Sequence, residues 1–383
     1  MNKMELKHLF SKGKIGNIQT KNRIVRSATA CGLAENGYVS EQQIKFYADL
    51  AQGGTGLIIT GSTSVDISGM LAGNQAYIYD DKFISGQNKL VKAVHEYSDV
   101  KIASQLIHAG RQGTHPNYPP IAPSAIPNNY TKLTPRELTL EEIKSLTKKF
   151  VDAGRRAYES GYDLIQMHAA HDYLLNNFLS PYTNRRNDEF GGNTEKRTKI
   201  LVDIRDQLRD EVGKEFPVMV KLQTIDGFPY GLDLKEASKI AQILVDANYD
   251  AIEPSGGSVE TMLTGKKISP SHTIKKPEDE NYYLANAEKL KTIKNCCPLI
   301  LVGGIRNPLI AEKILQEKSA EFISMSRPLI REPNLPNRWK IGDLKPAHCI
   351  SCNACFGTLI RGDLHCITKK RLERKRKREA KKG

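Results

Sequence analysis

His168, His171 and Tyr173 fall within the six residues HAAHDY and bring two imidazoles and a phenol together. Imidazoles three apart can be structural or can ligate a metal, and a phenol of reference pKa about 10 can give up a proton as a general acid. A metal site would want a third ligand, and strand alternation places Asp172 poorly for it. A second constellation is Cys349, Cys352, Cys355 and Cys366, spaced C-x2-C-x2-C-x10-C. Such crowding in a cytosolic chain reads as metal binding, where four thiolates suit an iron-sulfur cluster or a closed structural zinc site. Third, Gly303-Gly304 and Ser326-Arg327 each follow a short apolar run. Glycines let backbone N–H groups approach an anion and arginine supplies a charged fork, a pairing that suits phosphate.

The elements that must position these residues form a regular alternation. Short β-branched runs begin at Arg23, Gly56, Lys101, Asp163, Pro217, Asp250, Pro298 and Glu321. Between them, 40–52, 81–97, 139–160, 194–212, 233–247, 284–295 and 307–317 carry apolar residues at helical spacing. Ser40 with Gln43 and Thr139 with Glu142 have capping-box spacing. Eight strands alternating with helices predict an α/β protein with a (β/α)8 TIM barrel, in which the active site lies at the carboxyl ends of the strands. The expected division is a barrel over 1–340, a four-cysteine segment over 341–367 and a mobile basic tail over 368–383. The connections 110–138 and 255–283 exceed ordinary loop length and are candidate substrate walls, with Tyr118, Tyr130, Tyr282 and Tyr283 as candidate lining.

Net charge is +14, from 57 Lys and Arg against 43 Asp and Glu, but the last fifteen residues hold ten basic and two acidic ones. The body is therefore only mildly basic. The tail has no aromatic residue for base stacking, which counts against a nucleic-acid partner. No apolar run reaches the roughly 18 residues of a membrane span and the start lacks a signal peptide, so the expectation is a cytoplasmic protein without membrane association.

The stretch HAAHDYLLNNFLSPYTNRRNDEFGGNTEKR, 168–197, resembles the signature of the old yellow enzyme family of NADH:flavin oxidoreductases. KNRIVRSAT from Lys21, GGTGLIITG from Gly53, QLIHAGRQ from Gln105, VKL from Val220, LVGGI from Leu301 and SRPLI from Ser326 resemble the same family in the same order. The likeness is greatest to its iron-sulfur branch, which includes 2,4-dienoyl-CoA reductase and trimethylamine dehydrogenase. Members of that branch carry further dinucleotide-binding domains after the cysteines, whereas this sequence ends seventeen residues after Cys366.

The resemblance implies FMN at the barrel mouth. Ser27, Ala28 and Thr29 would line one side of the flavin ring with Gly61 beside it, and Gln105 would bond its pyrimidine edge. Lys221 would face the side where reduction leaves negative charge. Gly303, Gly304, Ser326 and Arg327 would take the phosphate. His168 and His171 would hold a substrate oxygen and Tyr173 would donate a proton, which together imply reduction of the activated C=C bond of an unsaturated carbonyl, enoate or acyl-CoA. The resemblance also favours a [4Fe-4S] cluster over zinc on the four cysteines. Electrons would come from NAD(P)H or from an acidic, ferredoxin-like protein steered by the tail. The alternatives are amine dehydrogenation or demethylation of the trimethylamine dehydrogenase type and, from another class, a non-catalytic flavoprotein or a nucleic-acid binder using the tail. A homo-oligomer is compatible with the sequence.

Overall fold

A computed structural model describes residues 5–71, 74–263, 268–359 and 361–380. Its centre is a parallel sheet of eight strands: β1 (Ile24–Arg26), β2 (Leu57–Ile59), β3 (Lys101–Ile107), β4 (Leu164–Ala169), β5 (Val218–Gln223), β6 (Ala251–Ser255), β7 (Ile300–Leu301) and β8 (Phe322–Met325). Each pairs in parallel with its neighbour in sequence, β8 pairs with β1, and a bridge from Ile252 to Leu299 joins β6 to the start of β7. These strands are the eight expected ones, and the sheet rolls into the expected (β/α)8 barrel. A short strand, Thr63–Ser64, adds to β3.

Alternation along the strands explains both faces. Ile24, Ile58, Ile102, Ile165, Ile252 and Ile323 face out and pack against the helices, while Val25, Leu57, Ile59, Ala103, Leu164, Met219, Ala251, Ile300 and Phe322 fill the lower interior. An antiparallel hairpin, Gly13–Ile15 with Ile18–Thr20, closes the lower end and adds Ile15 to that layer. Two residues further up the same inward rows the chemistry changes, to Gln105, Gln166, Lys221, Glu253 and Ser324. The floor is apolar and the upper interior polar.

The outer helices are α1 (Glu41–Gln52), α2 (Ile84–His95), α3 (Leu140–Glu159), α4 (Thr194–Val212), α5 (Leu234–Asp246), α6 (Leu284–Lys291) and α7 (Pro308–Gln316). One of the two expected capping boxes closes, Thr139 and Glu142 satisfying each other's backbone N–H, whereas at α1 only the Ser40 hydroxyl accepts from Gln43 N and the reciprocal Gln43 bond does not form. Two helices are shorter than the periodicity suggests. Residues 81–83 form a 3-10 turn before α2, and α6 ends at Lys291 rather than Asn295.

After the barrel, Leu335–Lys340 buries Trp339, and the cysteine segment returns over the barrel mouth. The basic tail is helical from Ile367 to Glu379 with no buried residue, and Lys370 pairs with Asp363 at 3.4 Å. No described helix is long and apolar enough to cross a membrane.

Candidate active site

The carboxyl ends of the strands surround a cavity of about 500 Å³, a size that suits a cofactor or drug-sized ligand. Of the residues singled out from sequence, Ser27, Ala28, Thr29, Gln105, His168, His171, Tyr173, Lys221, Gly303, Gly304, Ser326 and Arg327 all line it. Gly61 does not. A Cβ there would stand 2.5 Å from the Thr29 carbonyl oxygen, so Gly61 packs behind that wall and Ser62 reaches the cavity instead. Tyr130 and Tyr282 are lining residues. Tyr118 instead rests on His115 with ring centroids 4.8 Å apart, and the Tyr283 hydroxyl donates to the backbone at Gly256 and Ser269.

Beneath the cavity lies a buried polar layer. Lys221 Nζ is 2.7 Å from Glu253 Oε2 and 3.2 Å from Ser27 Oγ. Glu253 also accepts from Ser27, Ser324 and Gln166, and Gln166 in turn accepts from Gln105 at 2.8 Å. Burial works to raise the Glu253 carboxyl, but Lys221 and these donors outweigh it and hold it below its ordinary value. Glu253 and Gln166 were not singled out from sequence. The signal was present, since each is a polar residue at an inward position of an otherwise apolar strand.

The loop after β4 carries the imidazoles and the phenol. His171 Nε2 is 2.6 Å from Ser255 Oγ, and the His168 ring stands edge-on to His171 and Tyr173 at 5.0 and 4.7 Å. Burial, then the Lys221 charge, lowers His171 to about 3, and burial lowers His168 well below its ordinary value. Both rings are therefore neutral at physiological pH, each with one N–H to donate. Burial, then Asp172 and Tyr130, pushes Tyr173 up to about 12, which keeps the phenol protonated. His168 Nδ1 is buried without a partner among the described residues. Such an atom is costly unless a ligand satisfies it.

Opposite, Thr29 Oγ1 and Ser326 Oγ lie 2.6 Å apart, and Gly303 and Gly304 have φ of 123° and 78°. A side chain on Gly303 would press on the rings of Tyr282 and Tyr283 at 3.0 Å, so glycine keeps this corner open. Arg327 donates from Nη1 to the carbonyls of His272 and Ser351 and to Asn353 Oδ1, at 2.8, 3.0 and 2.6 Å. This guanidinium joins the cavity to the cysteine segment.

Cys349, Cys352, Cys355 and Cys366 are free thiols that line one small cavity of about 20 Å³, and Cys355 lines the main cavity as well. Cys366 accepts from Arg331 Nη1 at 3.6 Å and lies 3.1 Å from Thr368 Oγ1. As they stand, no three His, Cys, Asp or Glu side chains among the described residues form a metal-binding group. The four thiols share a cavity but are not arranged around an ion.

The barrel mouth thus gathers a buried lysine, two histidines, a tyrosine and a glycine-arginine corner on one cavity. Residues 8–344 match the model of the NADH:flavin oxidoreductase / NADH oxidase family, and the chain belongs to that family. It is 38% identical over 357 residues to an NADH oxidase of Thermoanaerobacter brockii, covering 91% of this chain and 54% of that protein. It is 34% identical over 330 residues to an NADPH dehydrogenase of Clostridium acetobutylicum, covering 85% and 92%. The fold superposes on a 2-naphthoyl-CoA reductase in complex with 2-naphthoyl-CoA with a TM-score of 0.87 at 26% identity, covering 95% and 57%. The chain thus spans little more than half of the first and third of these proteins and nearly all of the second.

Proposed function

We propose that the chain reduces the activated C=C bond of an α,β-unsaturated carbonyl, enoate or acyl-CoA. The observation that carries this reading is the meeting of neutral His168 and His171 with protonated Tyr173 on one cavity wall, across from the glycine-arginine corner. The cavity suits FMN by its volume and by the donors that line it. Gln105 and Lys221 would hold the ring, and Gly303, Gly304, Ser326 and Arg327 the phosphate. FMN bound there supplies hydride chemistry. The neutral imidazoles would donate to a substrate oxygen, which gains negative charge as the bond is reduced, and so would lower the barrier. Tyr173 gives its proton to the α-carbon. The reductase likeness supports the acyl-CoA member of the substrate class, and the NAD(P)H-dependent relatives support a nicotinamide as electron donor.

The four cysteines suit a [4Fe-4S] cluster in donor type and in number. Their shared cavity and the position of Cys355 on both cavities support the cluster as an electron entry to the site. The exposed basic helix that starts at Ile367 suits an acidic electron-transfer protein as the alternative donor. Zinc on the same ligands would give a structural site only.

The test is anaerobic single-turnover reaction of the reduced protein with enones, enoates, enoyl thioesters and tertiary amines, with iron, sulfide and zinc measured on the same preparation. Reoxidation by the unsaturated compounds and about four iron per chain are expected. Reaction with the amines alone, in the opposite direction, would replace the reading, and stoichiometric zinc without iron would remove the cluster.

A further inference from the structure

The loop after β3 opens with Gly110-Arg111, and Arg111 is wholly buried although charged. Its guanidinium reaches three segments of the barrel mouth. Nε donates to both carboxylate oxygens of Asp172 at 2.7 and 2.9 Å, and Nη2 pairs with Glu260. Nη1 donates to the carbonyls of Pro127 and Ile126 at 2.8 and 3.3 Å. Tyr182 and Phe228, themselves stacked at 4.5 Å, lie 5.8 and 5.7 Å from its central carbon. Although burial opposes the charge, the two carboxylates hold the guanidinium above its ordinary pKa.

The residues paired with Arg111 adjoin the site. Asp172 stands between His171 and Tyr173. Both His171 and Asp172 are left-handed, with φ of 63° and 67°, a region uncommon for residues with side chains and doubly so for two in succession. Asn128 and Asn177 add bonds to the Asp172 carboxylate at 3.2 and 2.8 Å. Glu260 Oε1 accepts from the backbone and side chain of Asn129 at 3.1 and 2.6 Å, and the next residue, Tyr130, lines the cavity. One buried side chain therefore ties the turn that carries the imidazole and phenol to the segment that carries a mouth residue.

We infer that Arg111 is a positioning residue for the proton donor. Its pair with Asp172 fixes the left-handed turn that presents His171 and Tyr173 to the cavity, and its pair with Glu260 fixes that turn relative to the mouth. The inference rests on Tyr173 as the donor. Arg111 itself does not line the cavity.

The test is Arg111→Lys, which keeps the charge and loses the fork, made in the parent and in Tyr173→Phe. In the parent the substrate half-reaction should slow roughly 10- to 100-fold, the usual effect of ångström-scale misplacement, while reduction by NAD(P)H is unchanged. In Tyr173→Phe the same substitution should cost clearly less, because the part of the loss that passes through the phenol is already gone and only the part through His171 remains. Equal losses in both backgrounds would overturn the proposal. A second readout needs no turnover: 3-fluorotyrosine at position 173 should give one fluorine line in the parent and a shifted or split line in Arg111→Lys. An unchanged line in the folded variant would also overturn the proposal. If Arg111→Lys fails to fold, Asp172→Asn removes the same ion pair at nearly constant volume and should give the same two results. A silent Tyr173→Phe would refute the donor assignment, and the fluorine line would still decide the role of Arg111.

Discussion

Lys221 Nζ and Glu253 Oε2 stand 2.7 Å apart on adjacent strands, in directly paired register, and neither side chain is more than 4% exposed. The lysine that faces the cavity is thus already neutralised from below. A buried pair of this kind is weak evidence for stability, yet removing one partner leaves an uncompensated charge.

Glu253→Gln should therefore have two effects. Unfolding by denaturant should show a loss of about 3–5 kcal/mol, the usual effect of breaking a buried pair. Lys221 would then act on the flavin without its counter-charge, and the two-electron midpoint potential should rise by on the order of 30 mV for each 1.4 kcal/mol of added stabilisation of the reduced form. An unchanged or lowered potential in spectroelectrochemical titration would show that Lys221 does not act on the ring.

Tyr173→Phe should leave flavin reduction by the donor intact and slow the substrate half-reaction by about 10²- to 10⁴-fold, the contribution of a positioned general acid. Stopped-flow measurement of the two half-reactions separates these effects. Equal rates with several enones would show that another group gives the proton.

Arg327→Ala should weaken FMN binding by about 1.5–3 kcal/mol, the value of a charge-assisted bond. Arg327 also donates to the Ser351 carbonyl and to Asn353, so, if the cysteines hold the proposed cluster, the variant should lose iron faster than the parent. Asn353→Ala removes only the second of these links. It should release iron faster while FMN affinity, read by fluorescence titration, is retained.

Acidification should set two buried groups of side chains against each other: the histidines destabilise the fold, while Asp172, which burial pushes up to about 7, binds its proton more readily folded than unfolded and offsets part of that loss. His171 is lowered to about 3 and His108 to about 4, both chiefly by burial, and burial lowers His168 well below its ordinary value. Unfolded histidines titrate near 6.5. Between about pH 6.5 and 3 the unfolded chain thus binds protons that the folded chain refuses. Stability present above pH 6.5 is lost as the pH falls through that window, at about 1.4 kcal/mol per pH unit for each such histidine. Urea unfolding at pH 7.5, 6 and 5 measures this slope, and His108→Gln should make it shallower. A pH dependence unaltered by His108→Gln would contradict the burial argument for that ring.

The sequence by itself determined the barrel and most of the cavity wall. Strand alternation fixes which side chains face inward, and in a barrel every inward row ends at the same mouth, so residues at strand ends become legible as a site once the eight strands are recognised. Gln105, His168, Lys221 and Gly303 were readable on that ground. Tertiary structure alone decided what lies between strands and between loops. Lys221 and Glu253 are neighbours because β5 and β6 pair in one register, and Arg111 meets Asp172 and Glu260 because three long connections fold over one mouth, 61 and 149 residues apart along the chain. Gly61 looks inward by its place after β2, but a close approach to Thr29 turns it into a packing contact. Periodicity carries the direction of a side chain within its own element. It carries nothing about register between elements, the path of a loop, or whether four cysteines close around an ion, because those depend on contacts between segments far apart in the chain.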